Sequence, residues 1–578
     1  MSQEPIRTLR RRWRVWNPES SSTFMIPRLT PPERAVQYPD DRRIRVSLSA
    51  KAVSILALMV LVPVAAAWAE VLWRGLPPIS DSNSLAHGVG PPGFPGWACM
   101  AHWLNFFFLS LLARSGLSIL ADHPRLYGND HCTPGSEWIR LTPLEVPRDR
   151  VWTAKDDARY LTPLVGLPGY RHTIGLARVW HFFAVPFFVA NGLMFVALGI
   201  WSSHLHRLVP QSWDILPQAW KVFVHYATFH LPPEPNGFYH FNPLQQLSYF
   251  AVVFGMAPLS ILTGLAMSPA IESRFPWYRN LFGGRQGARS LHFLLLLGYL
   301  GFTAVHVAMV VATGFARNMN HITRGVDESG RQGVVLGLGI ISGTVLFWFL
   351  AHWLSWRKPR SLQLLSGHSE SVLRALSLNA FRPRAHYSPK DISPYLWTNG
   401  KLPTSKEWLD LARGNFKDYR LKVGGLVENP VELSLEDLRR LGKEEHITMH
   451  HCIQGWTGIA KWGGVSLRKI VELVKPKPDA TTMVFFSFGE GLYGGIYYDT
   501  HSLGNVLKPQ SILAWEMNDQ PLPILHGAPL RLRVENQLGY KMVKWISAIE
   551  LVQSHKTLGK GWGGKNEDDE FFDLMANI

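Results

Sequence analysis

Residues 291–310 read LHFLLLLGYLGFTAVHVAMV, an apolar run that contains two histidines, His292 and His306, and no charged residue. A helix of about 20 apolar residues can cross a bilayer, so this run predicts a membrane span. The two histidines are fourteen positions apart, which corresponds to roughly 21 Å and nearly four full turns of helix. Because ionisable side chains are costly inside lipid, they usually have a partner or a function there. We therefore expect one helix to present two ligands at two depths of the membrane.

Similar apolar runs recur between residues 50 and 357, whereas the rest of the chain reads as a soluble protein. The six predicted spans are 52–73, 97–120, 178–201, 245–268, 290–314 and 334–356. The predicted parts of the chain are a basic N-terminal arm (1–49), a membrane domain (50–357), a connector (358–394) and a soluble domain (395–578). The expected fold is multi-domain, with an all-α transmembrane bundle followed by an α+β domain.

Basic residues exceed acidic ones, with 59 Lys and Arg against 43 Asp and Glu. They concentrate in the N-terminal arm, in the loops after the second and fourth spans, and after the sixth span. This distribution indicates membrane topology rather than a nucleic-acid surface. If all six spans cross the membrane, the segments rich in Lys and Arg all lie on the same side of it. Since such segments are typical of the cytoplasmic side, this predicts a cytoplasmic soluble domain on a bacterial-type inner membrane. If the first run only lies on the membrane surface, the side reverses.

Four histidines stand inside predicted spans: His102, His181, His292 and His306. Successive spans alternate in direction, so His181 should lie level with His292, and His102 level with His306. Two such pairs are what two b-type haems need as axial ligands. A single histidine in a span is more often a packing residue, and a transporter that relays protons is an alternative. Histidines in loops or at span ends, such as His123 and His321, are expected to be solvated or interfacial.

The soluble half contains one of the three cysteines of the chain, Cys452, at the end of a predicted strand, HITMHHC. Its neighbours His450, His451 and Lys461 predict a cationic setting that favours thiolate. Thiolate is a soft ligand that suits transition metals. An isolated cysteine is nevertheless more often a buried packing residue, so its pattern alone leaves both interpretations open. Two local signals are clearer: Ser434 should cap a helix, and Asn518-Asp519 should form a hairpin turn.

Four segments of the membrane half resemble the core helices of the cytochrome b561 family, of the type found in formate dehydrogenase gamma subunits. They are HWLNFFFLSLLARSG (102–116), ARVWHFFAVPFF (177–188), YHFNPLQQLSYFAVV (239–253) and LHFLLLLGYLGFTAVHVAMV (291–310). The resemblance implies two haems b on His102, His181, His292 and His306, with quinone exchange at one membrane face. The chain departs from that pattern by extra spans at both ends.

Four segments of the soluble half resemble the molybdopterin domain of the sulfite oxidase family, whose bacterial branch includes a methionine sulfoxide reductase subunit. They are LKVGGLVENPVELSLEDL (421–438), HHCIQGWTGIAKWGGVSL (450–467), HGAPLRLRV (526–534) and GYKMVKWISAIELV (539–552). The resemblance implies that Cys452 is the molybdenum ligand and the catalytic residue. It further implies that the pterin and its phosphate are held by His526 and Arg531, with contacts from Asn399, Met542, Val543 and Lys544.

The chain differs from animal and plant sulfite oxidases in the few residues that follow the cysteine. Those enzymes have arginines that help to bind an oxyanion, and this chain has Gln454, Gly455 and Trp456. We therefore expect a molybdopterin oxidoreductase that couples quinone, through two haems, to oxygen-atom transfer on a small sulfur-type substrate, with a sulfoxide reductase favoured. The alternatives are a sulfite-type dehydrogenase that passes electrons to quinone, and a non-catalytic haem conduit or redox sensor. The expected partners are membrane lipid, quinone and that substrate, and no nucleic acid.

Overall fold

A computed structural model describes most of the chain. The described residues are 47–48, 50–79, 86, 90–142, 144–147, 151–169, 174–365, 378, 381–574 and 577–578. Most of the predicted basic arm, 1–49, lies outside the described residues.

The membrane half is helical, as predicted. Its helices are α1 (Ala50–Arg74), α2 (Gly96–Asp122), α3 (Ile174–Trp201), α4 (Ile215–Ala227), α5 (Pro243–Phe250), α6 (Ala257–Ala266), α7 (Pro269–Arg274), α8 (Pro276–Asn280), α9 (Arg285–Ala312), α10 (Phe315–Arg324) and α11 (Arg331–Arg357). Within the described residues, six helical segments are long and apolar enough to cross a membrane, with α5 and α6 forming one of them. The protein is therefore an integral membrane protein, and the six predicted spans are confirmed.

The fourth span contains a local irregularity that the sequence reading did not predict. A π-helical turn, Ala251–Met256, joins α5 to α6. Pro258 lies directly after this turn and has no backbone N–H to donate, so the regular α-helical bonding pattern cannot continue through it. At the other end of the span, Asn242 and Gln245 form a capping box that starts α5. The capping box thus fixes where the helix begins, and the π-helical turn locally widens the helix in the middle of the span.

The soluble half is an α+β domain, as predicted. Its helices are α12 (Lys406–Arg413), α13 (Leu435–Arg440), α14 (Leu467–Val474), α15 (Leu503–Val506) and α16 (Lys565–Glu570). The strands of the chain are β1 (Ser47–Leu48), β2 (Arg125–Leu126), β3 (Ile139–Arg140), β4 (Arg420–Gly425), β5 (Val431–Ser434), β6 (Glu444–His451), β7 (Thr457–Ser466), β8 (Thr482–Glu490), β9 (Ile496–Ser502), β10 (Ser511–Met517), β11 (Gln520–Pro521), β12 (Arg531–Val534) and β13 (Ile546–Val552).

In the described part of the soluble domain, the strands form two five-stranded sheets. One has the order β5-β4-β13-β8-β9, and the other has β11-β10-β7-β6 with β12 also paired to β10. Strands β4 and β13 are parallel, and the other pairs are antiparallel. A small third sheet, β1-β3-β2, lies next to the membrane helices. The second sheet positions the cysteine loop, because β6 ends at His451 and β7 begins at Thr457.

Two local predictions for the soluble half are confirmed. Ser434 caps α13, and its capping box is completed by Asp437. Met517 pairs with Gln520 across a two-residue turn. Asn518 and Asp519 in that turn have φ angles of 54° and 63°, the left-handed conformation that a type I′ hairpin requires.

His123 and His321 were expected to be solvated or interfacial, and both are buried, so the solvated interpretation was wrong for them. His123 lies directly after α2, and its ring packs against Tyr127 and Trp397. His321 is buried in α10, where it stacks on Phe94 and bonds to Asp327 through Nε2 at 2.8 Å. Both are buried by tertiary contacts with distant segments, which hydropathy along the chain does not reveal.

The C-terminal segment after β13 packs between the soluble domain and the membrane helices. Arg360, just after α11, donates to the backbone oxygen of Glu567 and stacks on Trp562. The Glu567 side chain accepts a 2.5 Å hydrogen bond from the buried Lys541, which also bonds to Asp499. Burial and the mutual repulsion of the two carboxylates raise the pKa of Asp499, and Lys541 opposes that rise. This buried cation therefore holds two acids and the C-terminal segment in place.

Replacing Lys541 with Met should destabilise the soluble domain, because it leaves two buried carboxylates without their cation. Breaking a buried ion pair costs about 3–5 kcal/mol, which lowers the unfolding temperature of a domain this size by on the order of 10 °C. Tryptophan fluorescence of the purified protein in detergent measures this change during heating.

The matched control is Lys560→Met, since Lys560 also pairs with an acid, Asp569, but its side chain is 65% exposed. Exposed ion pairs contribute little, so this control should unfold within a degree or two of the unchanged protein. Equal unfolding temperatures for the two variants would contradict the role given to Lys541.

Candidate metal and cofactor sites

The first pair of membrane histidines lies at the end of the bundle that faces the soluble domain. His181 and His292 have ring centres 6.4 Å apart. His181 Nδ1 is hydrogen-bonded to Ser115 Oγ at 3.1 Å, and His292 Nδ1 to Thr263 Oγ1 at 2.9 Å. These bonds orient each ring and leave Nε2 as the nitrogen available to a metal. We call His181 and His292 the proximal pair.

The second pair lies at the opposite end of the bundle. His102 and His306 have ring centres 6.2 Å apart. Phe302 stacks on His306, and the ring of Tyr249 lies at its edge. His102 Nδ1 is buried and has no hydrogen-bond partner among the described residues. We call His102 and His306 the distal pair. The structure thus brings together both pairs that alternating span direction predicts.

The spacing within each pair suits one metal ion between two imidazoles. A metal–nitrogen bond is about 2 Å long, and two such bonds plus the distance from each ring centre to its nitrogen account for separations of this size. Among the described residues, no group of three or more His, Cys, Asp or Glu side chains could hold a bare metal ion. Two imidazoles per site match the axial ligation of a haem iron.

Cys452 stands in the short loop between β6 and β7. Its backbone N–H donates to the Trp456 oxygen at 3.1 Å, and Gly455 N–H donates back to the Cys452 oxygen at 3.1 Å. These two bonds close a tight loop that fixes the direction of the thiol. Gly455 has a φ of +102°, a conformation that glycine adopts readily.

The predicted cationic setting of Cys452 was wrong. Lys461 points to the surface, where it pairs with Glu445 and Asp519, and burial lowers the pKa values of His450 and His451 well below their ordinary range. Burial raises the pKa of the Cys452 thiol to about 12. A thiolate at this position therefore needs a metal cation beside it, since coordination is what deprotonates a buried thiol.

Asn399, a predicted cofactor contact, lies beside Cys452. Its Nδ2 is 3.8 Å from the cysteine Sγ and donates to Gln454 Oε1 at 2.6 Å. Its Oδ1 is buried and has no partner in the described part of the chain. A buried amide whose oxygen is unpaired and whose nitrogen lies beside the thiol fits a polar contact to a cofactor.

His526, Arg531 and Lys544 form a basic pocket around Gly527. Arg531 donates to the backbone oxygen of His526 at 2.9 Å, and Lys544 Nζ donates to Leu525 oxygen at 2.8 Å. Burial, and then repulsion from neighbouring basic groups, lowers the pKa values of all three well below their ordinary ranges. Arg531 Nε is buried without a partner in the described residues. Basic groups held together in this way fit an anion such as a phosphate.

Met542 and Val543 are placed differently from the other predicted contacts. Both side chains are buried, and Val543 lies in the hydrophobic core of the soluble domain. The Val543 oxygen accepts from Leu532 N–H at 2.8 Å, which ties this segment to β12. Val543 could therefore contact a cofactor through its backbone only.

The residues that join Cys452 to the membrane half were not predicted from the sequence. Gln286 Nε2 donates to the Gly455 oxygen at 2.8 Å, and Gln454 Nε2 donates to the Asp122 oxygen at 3.1 Å. Gln286 is in the first turn of α9, six positions before His292. The only signal in the sequence is a polar turn, RQGARS, at the start of an apolar span, which also reads as an ordinary membrane-surface cap.

Two family models each match one part of the chain. Residues 93–325 match the family model of prokaryotic cytochrome b561, and residues 409–558 match the oxidoreductase molybdopterin binding domain.

Three curated relatives match smaller parts of the chain. YedZ1, a subunit assigned to a protein-methionine-sulfoxide reductase of Azospira oryzae, is 33% identical over 137 residues, which are 24% of this chain and 50% of the relative. The catalytic subunit MsrP of the protein-methionine-sulfoxide reductase of Campylobacter jejuni is 29% identical over 150 residues, 24% of this chain and 50% of MsrP. Nitrate reductase (NADPH) of Fusarium oxysporum is 27% identical over 221 residues, 34% of this chain and 23% of that enzyme.

The chain spans half the length of the first two relatives. Both predicted resemblances are confirmed by the family models. This polypeptide thus joins a cytochrome b561 domain of the prokaryotic family to an oxidoreductase molybdopterin-binding domain.

Proposed function

We propose that the chain is a membrane-bound oxidoreductase that passes electrons from a quinol, through two haems b, to a molybdopterin centre that reduces a sulfoxide. Oxidation of the quinol releases two electrons and two protons. Reduction of a sulfoxide, R₂SO, consumes two electrons and two protons and yields R₂S and water, so the overall reaction balances. The names of two relatives make methionine sulfoxide the favoured substrate.

The observation that carries this proposal is the arrangement of the candidate ligands. Four imidazoles form two pairs at opposite ends of the bundle, and the proximal pair lies at the end where the Cys452 loop contacts α9. The three candidate sites, namely the distal pair, the proximal pair and Cys452, thus follow one another from one membrane face to the soluble domain.

The four histidines would each supply one axial nitrogen to a haem. Haem iron, when bound, transfers one electron at a time. Ser115 and Thr263 would fix the ring orientation of the proximal pair through the Nδ1 bonds, and the surrounding apolar helices exclude water. In the distal pair, ring contacts with Phe302 and Tyr249 would restrict the orientation of His306 instead.

In the soluble domain, Cys452 would ligate molybdenum through Sγ, with Asn399 as a neighbouring polar contact. The molybdenum centre, when bound, supplies two-electron oxygen-atom transfer. His526, Arg531 and Lys544 would hold the phosphate of the pterin, which restores the charged forms that burial disfavours. Gly527, with a φ of +118°, lets the backbone approach this group closely.

The residues that follow Cys452 favour a neutral substrate over an oxyanion. Gln454, Gly455 and Trp456 carry no positive charge. The two nearby arginines of the membrane domain are engaged with backbone oxygens: Arg289 with His123 and Arg125, and Arg285 with Met267 and Gly455. This supports a sulfoxide reductase over a sulfite-type dehydrogenase.

The soluble domain is proposed to lie on the cytoplasmic side. The basic loop after α2 and the basic residues after α11 lie at its end of the bundle, where positive charge marks the cytoplasmic face. At the same end of the bundle, Arg125 in the loop after α2 and Arg285 and Arg289 at the start of α9 are buried, so the orientation rests on the exposed basic residues. A fluorescent protein fused at the C-terminus should fluoresce in cells, whereas activity of an exported phosphatase fused there would reverse the side.

Replacing His306 with Leu should remove the distal haem and leave the proximal one. The unchanged protein should contain two haems b per chain, and the variant should contain one, because a bis-histidine site with one ligand removed holds haem poorly. Pyridine haemochrome absorbance per chain measures this number. The control is His240→Leu, since His240 is exposed in a loop and should keep both haems. Two haems in the His306 variant would contradict the assignment of the distal pair.

Methionine sulfoxide should reoxidise the chemically reduced haems of the purified protein. Replacing Cys452 with Ser should slow this reoxidation by at least about a hundredfold, because loss of a ligand exceeds the effect of losing its supporting contacts, with haem spectra unchanged. Absorbance of the reduced haem, followed after mixing, measures the rate.

The matched control is Cys99→Ser, because Cys99 is also buried but lies near the other end of the bundle, where its Sγ contacts the backbone oxygens of Phe94 and His321. This variant should reoxidise its haems at the normal rate. Reduction of oxidised haem by added sulfite, with no effect of sulfoxide, would reverse the proposed direction of electron flow.

A further inference from the structure

The loop after Cys452 is bound directly by the first turn of α9. Gln286 Nε2 donates to Gly455 oxygen at 2.8 Å and to Thr457 Oγ1 at 3.2 Å, and Arg285 donates to the same Gly455 oxygen at 3.2 Å. A Cβ atom at Gly455 would lie 3.4 Å from Arg289 Nε, so the loop backbone packs closely on this helix. The soluble domain thus touches the membrane domain at the residues next to the proposed molybdenum ligand.

A second contact joins the same loop to the end of α2. Gln454 Nε2 donates to the Asp122 oxygen at 3.1 Å. At its other end, Gln454 Oε1 accepts from Asn399 at 2.6 Å and lies 3.9 Å from Cys452 Sγ. One side chain therefore connects the neighbourhood of the thiol to a membrane helix.

Both contacted helices reach the proximal pair. Helix α9 contains His292, and α2 packs against His181. Gln286 precedes His292 by six residues on α9, about 9 Å along the axis. On α2, Asp122 follows Gly116 by six residues, again about 9 Å, and a Cβ atom at Gly116 would lie 3.6 Å from His181 Cε1. The loop after Cys452 is therefore about two helical turns from each proximal histidine.

The contact region is closed to water. Gln286 and Thr457 have no exposed surface, and Gln454 and Trp456 are each 2% exposed. The loop after α2 seals it further: Asp130 accepts from the Gln286 N–H at 2.9 Å and from Thr457 Oγ1 at 2.8 Å. Trp397 of the soluble domain donates to the Cys132 oxygen at 2.7 Å. Weak encounters between redox partners have wet interfaces, whereas the residues of this contact are buried.

From these contacts we infer that the two domains stay docked throughout turnover, and that the contact between Gly455 and the first turn of α9 is the electron route between the proximal haem and the molybdenum centre. This inference rests on the proposed function for its electron donor and acceptor. Gln286 is the positioning residue of the route, because its bonds to Gly455 and Thr457 hold the Cys452 loop against the helix that carries His292.

The first test uses the unchanged protein. Its haems are reduced with dithionite, and their reoxidation by methionine sulfoxide is timed in single turnover from about 0.02 M to about 1 M KCl, where the screening length falls from about 20 Å to about 3 Å. A buried, permanent contact predicts rates that agree within about twofold. A rate that changes by about tenfold or more would show repeated docking and would overturn the inference.

The second test replaces Gln286 with Leu, which keeps the side-chain volume similar and removes both hydrogen bonds to the loop. Reoxidation should be at least about tenfold slower, because a shift of about 1 Å in a positioned group has effects of this size or larger. Molybdenum content and haem content should be unchanged. The matched control is Gln246→Leu, since Gln246 is equally buried and donates to the Arg207 oxygen at 3.0 Å near the other end of the bundle.

Amide hydrogen exchange separates failure of this inference from failure of the proposed function. Exchange at residues 453–457 should rise in the Gln286 variant and stay low in the Gln246 variant, whatever the substrate is. Equal exchange and equal reoxidation rates in the two variants would overturn the inference. If sulfoxide fails to reoxidise the unchanged protein while exchange follows the expected pattern, the proposed substrate is wrong and the docked contact stands.

Discussion

The carbonyl oxygen of Gly455 accepts hydrogen bonds from two side chains of the membrane domain, Gln286 and Arg285. A buried carbonyl without partners would cost free energy, so these bonds make the contact between the domains specific as well as close. The loop that presents Cys452 cannot shift without breaking them. The distance and orientation between the thiol and the proximal histidines depend on this small region. Here buried hydrogen bonds join the soluble domain to the membrane bundle.

Other buried groups point to cofactors of defined charge. The basic pocket around Gly527 brings three cationic side chains together, and burial disfavours their charged forms. At Cys452 the charge has the opposite sign, because burial disfavours the negatively charged thiolate. An anion in the pocket and a metal cation at the sulfur would relieve both. The buried Lys541 differs because it already has two carboxylate partners, which suits a structural role.

The sequence predicted those features that depend on local pattern. Span positions follow from runs of apolar residues, the pairing of His102 with His306 follows from alternating span direction, and the cap at Ser434 follows from its neighbours. Features that depend on distant contacts were missed or wrong. Gln286 and Gly455 are 169 positions apart, His123 is buried by segments from both domains, and Lys461 points away from Cys452 although it is close in sequence. Hydropathy and spacing contain no information about which surfaces meet.

The most direct test of the account is pulsed EPR of the molybdenum signal, with the haems either ferric or reduced. A ferric haem on His181 and His292 should shorten the relaxation time of molybdenum, because the loop that holds the metal lies about two helical turns from both histidines. Replacing His292 with Leu should remove this effect, and raising the salt concentration should leave it unchanged. A relaxation time that does not respond to the oxidation state of the haem, in protein containing both metals, would contradict the account.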